Sequence, residues 1–573
     1  MKEKMNQNQS MLPSEAKPWL SYYSTETVNV ELPEKTVYGF MVDNNRDYPQ
    51  ETAINYLGRE ISYQALFDYI DQTAKAFTQA GVKSGDIVTV ALPTVPEALY
   101  SVYALNKIGA VSNMIHPLAG TSELLFYLNE VGSEVAVLFD KTYLLLRDHL
   151  AQTKVRRVIV VTIADSLPIL KARVEPVELP DDGSVVTWQA FIEAGKDTPL
   201  PDVKKDPFDT AVISHTGGTT GTPKGVMNSD VSINAVIVQI ASATGVYRGM
   251  SHLVVLPPFI NYSLVNAMLE PISLGITCIM VPKYEPDQFY EYIKKYRPTN
   301  ITSIPPYWEA ILAVPEEKPD LSCLKIAVYG GETMAPQNEA AVNKLFKDLG
   351  AQCKLTKGLG MTELVCASTL TTLDDEMDDS VGIPLPKVGC MIADIDTDAE
   401  LGFNKEGEIC FSGPTLMIGY YHNQEATDDL IRIHSDGQRW LHTGDLGYID
   451  QKGILRITGR IKRIIMTRGK DGSPTKLFPV RIENAINSYK SVRLSCVIGI
   501  PDEERINYPL AVVELNDGAE PSDELAEQIL KHCSAQLPGY SVPERIRFTE
   551  ELPRTPRGKV DYRALEKQIL GAE

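Results

Sequence analysis

The stretch Thr216-Gly217-Gly218-Thr219-Thr220-Gly221-Thr222-Pro223-Lys224-Gly225 gathers four glycines, four threonines and a lysine into ten residues. That composition suits an anion. Glycines let backbone N–H groups approach closely, hydroxyls add donors, and Lys224 brings positive charge on a flexible stem. Three scattered glycines would read as a plain turn; this density points to phosphate. It is not the loop of P-loop kinases and ATPases, because Pro223 stands where that motif has glycine before the lysine and Gly225 where it has Ser or Thr after it. Further polar clusters follow in Gly330-Gly331-Glu332-Thr333, Lys357-Gly358-Leu359-Gly360-Met361-Thr362-Glu363, His442-Thr443-Gly444-Asp445, Gly459-Arg460-Ile461-Lys462 and Arg554-Thr555-Pro556-Arg557-Gly558-Lys559. Taken singly, each has a plainer reading as a turn, a helix cap or a basic surface loop.

The elements that must position these clusters have an α/β texture. Helical periodicity covers 63–80, 96–108 and 122–131, and apolar runs at 87–92, 111–114, 135–139, 156–162 and 210–214 read as strands. Such alternation predicts parallel sheets with helices on their faces. The phosphate loop then leaves a strand end, where open α/β sheets bind ligands. A helix at 232–244, a strand at 253–256 and a second α/β unit follow, and that unit's 324–329 strand delivers the Gly330-Gly331 turn. A β-rich region leads to a small domain with strands at 492–499 and 509–515 and a helix at 522–536. Residues 1–30 read as a loosely held arm, tied down in part by Trp19, Tyr22 and Tyr23.

The 573 residues, 43% apolar and 23% charged, predict a globular chain of at least two domains. A formal charge of −20 argues against nonspecific nucleic-acid binding, so an anionic substrate must be held by local cations and backbone donors. Eight scattered cysteines without C-x-x-C spacing read as reduced thiols, and the polar segment 1–17 lacks a signal-peptide core. No segment approaches the length of a transmembrane helix. A cytoplasmic protein is expected.

In order and spacing the clusters resemble the adenylate-forming superfamily, which contains acyl-CoA synthetases, stand-alone adenylation domains and beetle luciferases. The resemblance spans about residues 50–563 and is strongest to AMP-forming acyl-CoA synthetases. It implies a large N-terminal AMP-binding domain, residues 1–461, of α/β sheet subdomains plus a β-rich subdomain, and a small mobile α+β domain, residues 462–573, pivoting at Lys462. By motif position it places Thr216, Gly217, Gly218, Thr219, Thr220, Gly221, Gly331, Glu332, Thr333, Gly358, Leu359, Gly360, Met361, Asp445, Ile457 and Arg460 around ATP and AMP. The Asp445 carboxylate would accept from both ribose hydroxyls, a vicinal diol suited to a charged acceptor. Lys224, Thr362, Glu363 and Lys559 would be the catalytic residues, with Glu363 also holding Mg²⁺.

The implied reaction joins a carboxylic acid to ATP as an acyl-adenylate, then to coenzyme A. No protein nucleophile is needed, and no Gly-x-Ser-x-Gly element occurs. Because the sequence ends at Glu573 without a fused carrier domain, CoA is the expected acceptor, a separate carrier protein being the alternative. A catalytically silent nucleotide sensor competes from another class, and the retained Lys224, Glu363, Asp445, Arg460 and Lys559 argue against it. A homodimer is compatible with this reading. The acyl pocket is assigned to Asn261, Tyr262, Val265, Asn266, Tyr307, Gly331 and Gly360. Gly360 stands where acetyl-CoA synthetases carry a tryptophan floor, which implies a deep pocket for medium, long or bulky acids. Three features depart from the family pattern: Ile260 replaces a histidine, Leu359 replaces an aromatic residue, and 469–476 lengthens the turn before Pro479.

Overall fold

Short β-branched runs between capped helices build two mostly parallel sheets, each with antiparallel strands at one edge, face to face with a helical layer. The chain's structure is a computed structural model describing residues 11–167, 177–216, 223–315, 319–372, 375–468, 474–502, 504–516, 518–554 and 560–571. The first sheet has, in spatial order, strands Gly419–Tyr420, Gly225–Ser229, Thr210–His215, Val111–Met114, Ile87–Ala91, Val135–Phe139, Arg157–Val161 and Val185–Thr187. The second runs Leu355–Lys357, Ile326–Tyr329, Asn300–Ser303, Ser251–Val254, Thr277–Met280, Thr52–Tyr56 and Arg59–Ser62. Both sheets feed one hydrophobic cluster that holds Ile54, Val90, Leu99 and Val254. Within it the helix Pro96–Lys107 is buried from Pro96 through Asn106. A helix with apolar residues on every side needs such a covered position, and its buried polar groups need partners there, as Glu97 has in the Ser166 hydroxyl.

The β-rich region is antiparallel: Gly389–Ala393, Gly407–Ser412, Arg439–Ile449 and Ile431–Ile433, with Leu455–Arg460 also paired to the long strand. Beyond it, Ile465, Ile482, Val497, Val513 and Ile529 belong to a separate core. There Val492–Asp502 and Ile506–Leu515 pair antiparallel and Arg545–Thr549 pairs parallel.

The strand Thr210–His215 ends directly before the phosphate loop, as the sequence implies, and Gly225–Ser229, which the sequence does not mark as a strand, pairs antiparallel with it. Ser229 then caps the helix Asp230–Thr244, its hydroxyl accepting from the Ser232 N–H at 3.1 Å. The segment 11–30 is held through the aromatic residue the sequence pointed to, and more firmly than a loose arm. Trp19 is fully buried, and Ser14 donates through both N–H and hydroxyl to the Glu400 carboxylate at 2.9 and 2.6 Å. One large aromatic ring supplies enough buried area to fix the segment.

Candidate functional site

The hairpin clamps the phosphate loop at both ends: the Thr216 N–H donates to the Lys224 carbonyl at 3.0 Å, and the Lys224 N–H to Thr216 Oγ1 at 3.2 Å. Gly217, Gly218, Thr219, Thr220 and Gly221 lie outside the described residues. Lys224 Nζ sits 4.7 Å from the centre of the Tyr420 ring. Tyr420, outside the residues assigned to the site, donates its hydroxyl to Glu363 Oε1 at 2.6 Å. Burial raises the Glu363 pKa, while the Tyr420 hydrogen bond, Lys224 and Arg460 pull it back down. A buried carboxylate whose charge is disfavoured by desolvation is stabilised by a divalent cation, so Glu363 fits a Mg²⁺ ligand.

Thr362 and Glu363 open a single 3₁₀ turn, Thr362–Leu364, which ends in an unusual backbone. Val365 has φ +65° and ψ −65°, and Cys366 N–H donates to the Leu364 carbonyl at 2.8 Å: a γ-turn of the rarer hand. A β-branched residue there is strained. Asn261 holds it in place, donating from Nδ2 to the Val365 carbonyl at 2.6 Å and accepting from Ser214 Oγ at 2.8 Å. Three segments are thus joined through one amide.

Two adjoining cavities share Leu359, Gly360 and Met361. The smaller, about 100 Å³, is also lined by Leu364, Phe411, Thr443, Asp445 and Arg460. Asp445 and Arg460 are cross-strand partners joined at 2.6 Å. Behind them Glu408 accepts from the Gly444 N–H and bonds His442 Nδ1, both at 2.8 Å, fixing the turn that carries Asp445. The larger cavity, about 230 Å³, is walled by Asn261, Tyr262, Asn266, Gly331, Thr362 and the strand ends, with His215 also on its wall. His215 was not singled out from the sequence, although its place directly before the loop was a usable signal.

Several assigned positions lie elsewhere. Val265 is buried in the core and Tyr307 packs its ring 5.0 Å from Tyr284; neither lines a cavity, because their helical positions face neighbouring apolar layers. Glu332, Thr333 and Ile457 line neither cavity, although Glu332 and Thr333 continue the Gly331 turn and Ile457 sits one strand face away from Arg460. Gly360 lines both cavities and carries a further constraint: a Cβ there would stand 1.6 Å from the Cys366 carbonyl oxygen, so its bare α-carbon also admits backbone. At Gly358 a Cβ would meet the Thr369 carbonyl at 2.1 Å. Gly331, at φ +85°, needs glycine for its backbone conformation.

Lys462 is exposed in the 3₁₀ turn Ile461–Arg463, and the next residue, Arg463, forks onto Glu483 at 2.5 and 3.1 Å. Of the lengthened turn, residues 474–476 belong to the strand Pro474–Leu477, which pairs antiparallel with Ile465–Arg468, and 469–473 lie outside the described residues. Lys559 lies outside the described residues, beyond Arg554, which bridges to Val560. No described helix is long and apolar enough to cross a membrane. All eight cysteines are free.

Comparison with known proteins agrees with this geometry. Residues 42–421 match the family described as AMP-binding enzyme, and residues 481–559 match the AMP-binding enzyme C-terminal domain. A long-chain-fatty-acid–CoA ligase of Bacillus subtilis is 29% identical over 96% of this chain and 97% of its own length. The 4-coumarate–CoA ligase CCL1 of Humulus lupulus is 28% identical over 90% of each chain. Among solved structures, the anthranilate CoA ligase AuaEII, in complex with anthranoyl-AMP, superposes with a TM-score of 0.79 at 21% identity, covering 94% of this chain and 98% of its own.

Proposed function

We propose that this chain, which belongs to the AMP-binding enzyme family, activates a medium-chain, long-chain or bulky carboxylic acid with ATP and transfers the acyl group to coenzyme A. The observation that carries the proposal is the meeting of two cavities at Leu359–Met361, one edged by the Asp445–Arg460 pair and the other running between strand ends, with Thr362 on the wall of the larger. Asp445 would take the ribose diol. Glu363 would hold Mg²⁺, which offsets charge on the phosphate oxygens. Lys224 and the loop 216–221 would bind phosphate, and Lys559 would neutralise charge that develops during adenylation.

In the first step a substrate carboxylate oxygen bonds to the α-phosphorus while the bond to pyrophosphate breaks. In the second the CoA thiolate sulfur bonds to the acyl carbon and AMP leaves with the oxygen. The protein contributes position and electrostatics to both, and forms no bond of its own. Two steps at one site call for rearrangement, which we assign to residues 462–573 turning about Lys462 relative to residues 1–461. The enzyme would work in the cytoplasm.

The test is pyrophosphate release from ATP with a library of carboxylic acids, followed by mass detection of acyl-CoA. Acid-dependent pyrophosphate and thioester together are expected. Nucleotide binding without pyrophosphate release for any acid would overturn the reading.

A further inference from the structure

The larger cavity runs away from the nucleotide end along one face of the second sheet. Register fixes what that face presents. His252, Asn300 and Ile326 are neighbours across three parallel strands, and Val254, Thr302 and Val328 form the next row toward the strand ends. His252, Asn300, Thr302, Ile326, Val328 and Gly330 all line the cavity. Gly330 lies four residues beyond Ile326, so at ~3.3 Å per strand residue the first row is about 13 Å from the Gly330 turn. The His252–Asn300 row is the cavity floor.

That floor is polar where a binder of plain alkyl chains would be apolar. His252 Nε2 and Asn300 Oδ1 are both buried and neither has a hydrogen-bond partner among the described residues. Burying such atoms unpaired costs free energy that a bound group can recover. The floor is also uncharged. Burial pushes the His252 pKa down to about 3, which leaves the imidazole neutral, and no lysine or arginine is among the described lining residues. A second carboxylate on the substrate would find no counter-ion. The buried carboxyl on the flank, Glu270, takes a hydrogen bond from Asn266 and has its pKa pushed up to about 8 by burial, so it too is protonated at neutral pH.

Resting on the acid-activating function proposed above, we infer that the substrate carries a neutral hydrogen-bonding group, a hydroxyl, at the end remote from its carboxylate, bound by His252 and Asn300. A hydroxyl donates to one of these atoms and accepts from the other residue's N–H. A terminal methyl would leave both unpaired. His252 and Asn300 thereby become specificity-determining residues, on a wall that the motif positions do not reach.

The experiment compares matched pairs of acids: ω-hydroxy against methyl-ended straight-chain acids of graded length, and para-hydroxyphenyl against para-methylphenyl propanoic acids. Wherever the tail reaches the floor, the wild-type enzyme should favour the hydroxyl member by at least about 100-fold in kcat/KM, since sites built to bond a hydroxyl reject its absence strongly. Asn300→Leu and His252→Phe should each shrink that ratio by about 10-fold or more, while still releasing pyrophosphate with the methyl-ended partner. The wild-type comparison stands even if a variant does not fold. Equal rates within every pair, as expected if water merely fills the floor, would overturn the inference. So would preference for methyl-ended, ammonium-ended or dicarboxylic acids. Melting-temperature shifts with the same pairs separate the two levels. A hydroxyl-dependent shift without pyrophosphate release faults the ligase function alone, whereas pyrophosphate release with equal shifts faults the polar floor.

Discussion

Tyr420 shows how a single hydroxyl tunes the charge of the site. Its hydrogen bond lowers the Glu363 pKa against the desolvation that raises it. Tyr420→Phe keeps a ring beneath Lys224 and removes only the donor. A hydrogen bond to a charged group contributes about 1.5–3 kcal/mol, so pyrophosphate release should fall by roughly 10- to 100-fold, and the acid limb of its pH profile should move to higher pH. A rate loss without that movement would make Tyr420 a packing residue. Glu97 makes the corresponding argument for stability, far from the cavities. It is fully buried, receives the Ser166 hydroxyl at 2.6 Å, and has its pKa pushed from 4.5 to about 8, chiefly by burial. The native state therefore retains a proton that the unfolded chain releases. Its stabilising contribution is complete below pH 4.5 and declines as pH rises to about 8, by at most about 1.4 kcal/mol per pH unit. Glu97→Gln should abolish that decline. Urea unfolding of both proteins at pH 5 and pH 8 checks it: the variant should gain on the wild type at the higher pH, and a constant difference would refute the assignment.

At the scale of elements, the segment 358–370 holds the two cavities together by close backbone approach. Gly360 faces the Cys366 carbonyl, Gly358 faces the Thr369 carbonyl, and Asn261 bonds the strained Val365 turn. Gly360→Ala must push the chain apart at a backbone contact, which no side-chain rotation relieves. Overpacking costs about 1–3 kcal/mol and occasionally more; we expect the upper end, seen as a lower denaturation midpoint, together with weakened binding of both ATP and acid. Unchanged stability would mean that the segment is looser than its contacts imply. This element also marks how far the sequence could be read. Its glycines were legible as necessary, but the carbonyls that also require them were not, because a motif gives the residue type and not the atom opposite it. The α/β alternation was legible because each strand is a short apolar run between capped helices, and Val111–Met114 and Val135–Phe139 fall where periodicity put them. The strand Gly225–Ser229 was missed because its five residues, with two polar side chains and a glycine, carry no period that competes with the loop before them. Val265 and Tyr307 line neither cavity, since position along a helix does not say which face meets it. His252 and Asn300 were overlooked since polar residues inside a strand look like its solvent face until register turns them inward.

At the scale of the whole molecule, two polar contacts join the large and small domains among the described residues, Gln337 Nε2 donating to the Val492 carbonyl at 3.1 Å and Arg481 pairing with Glu406, beside the packing of the Pro479–Asn487 helix on the Leu455–Arg460 strand. Interfaces of this kind permit relative motion. The covalent connection is equally spare. Arg460 is bound to Asp445 and Arg463 to Glu483, which leaves exposed Lys462 between two anchored arginines. A rotation that keeps both ion pairs must change backbone angles near this residue. Proline at 462 would fix φ near −65° and restrict the preceding residue as well. Lys462→Pro should therefore release pyrophosphate with acid and ATP at close to the wild-type rate, yet convert a supplied acyl-adenylate and CoA to thioester at least about 10-fold more slowly. Lys559→Ala should do the reverse, because a preorganised donor to a developing anion contributes about 3–4 kcal/mol, on the order of 10² to 10³ in rate, to adenylation alone. The two variants, each measured in both half-reactions with circular dichroism to confirm folding, form a reciprocal pair. Equal damage to both steps in either variant would count against a pivot that brings Lys559 to the site for one step and withdraws it for the other.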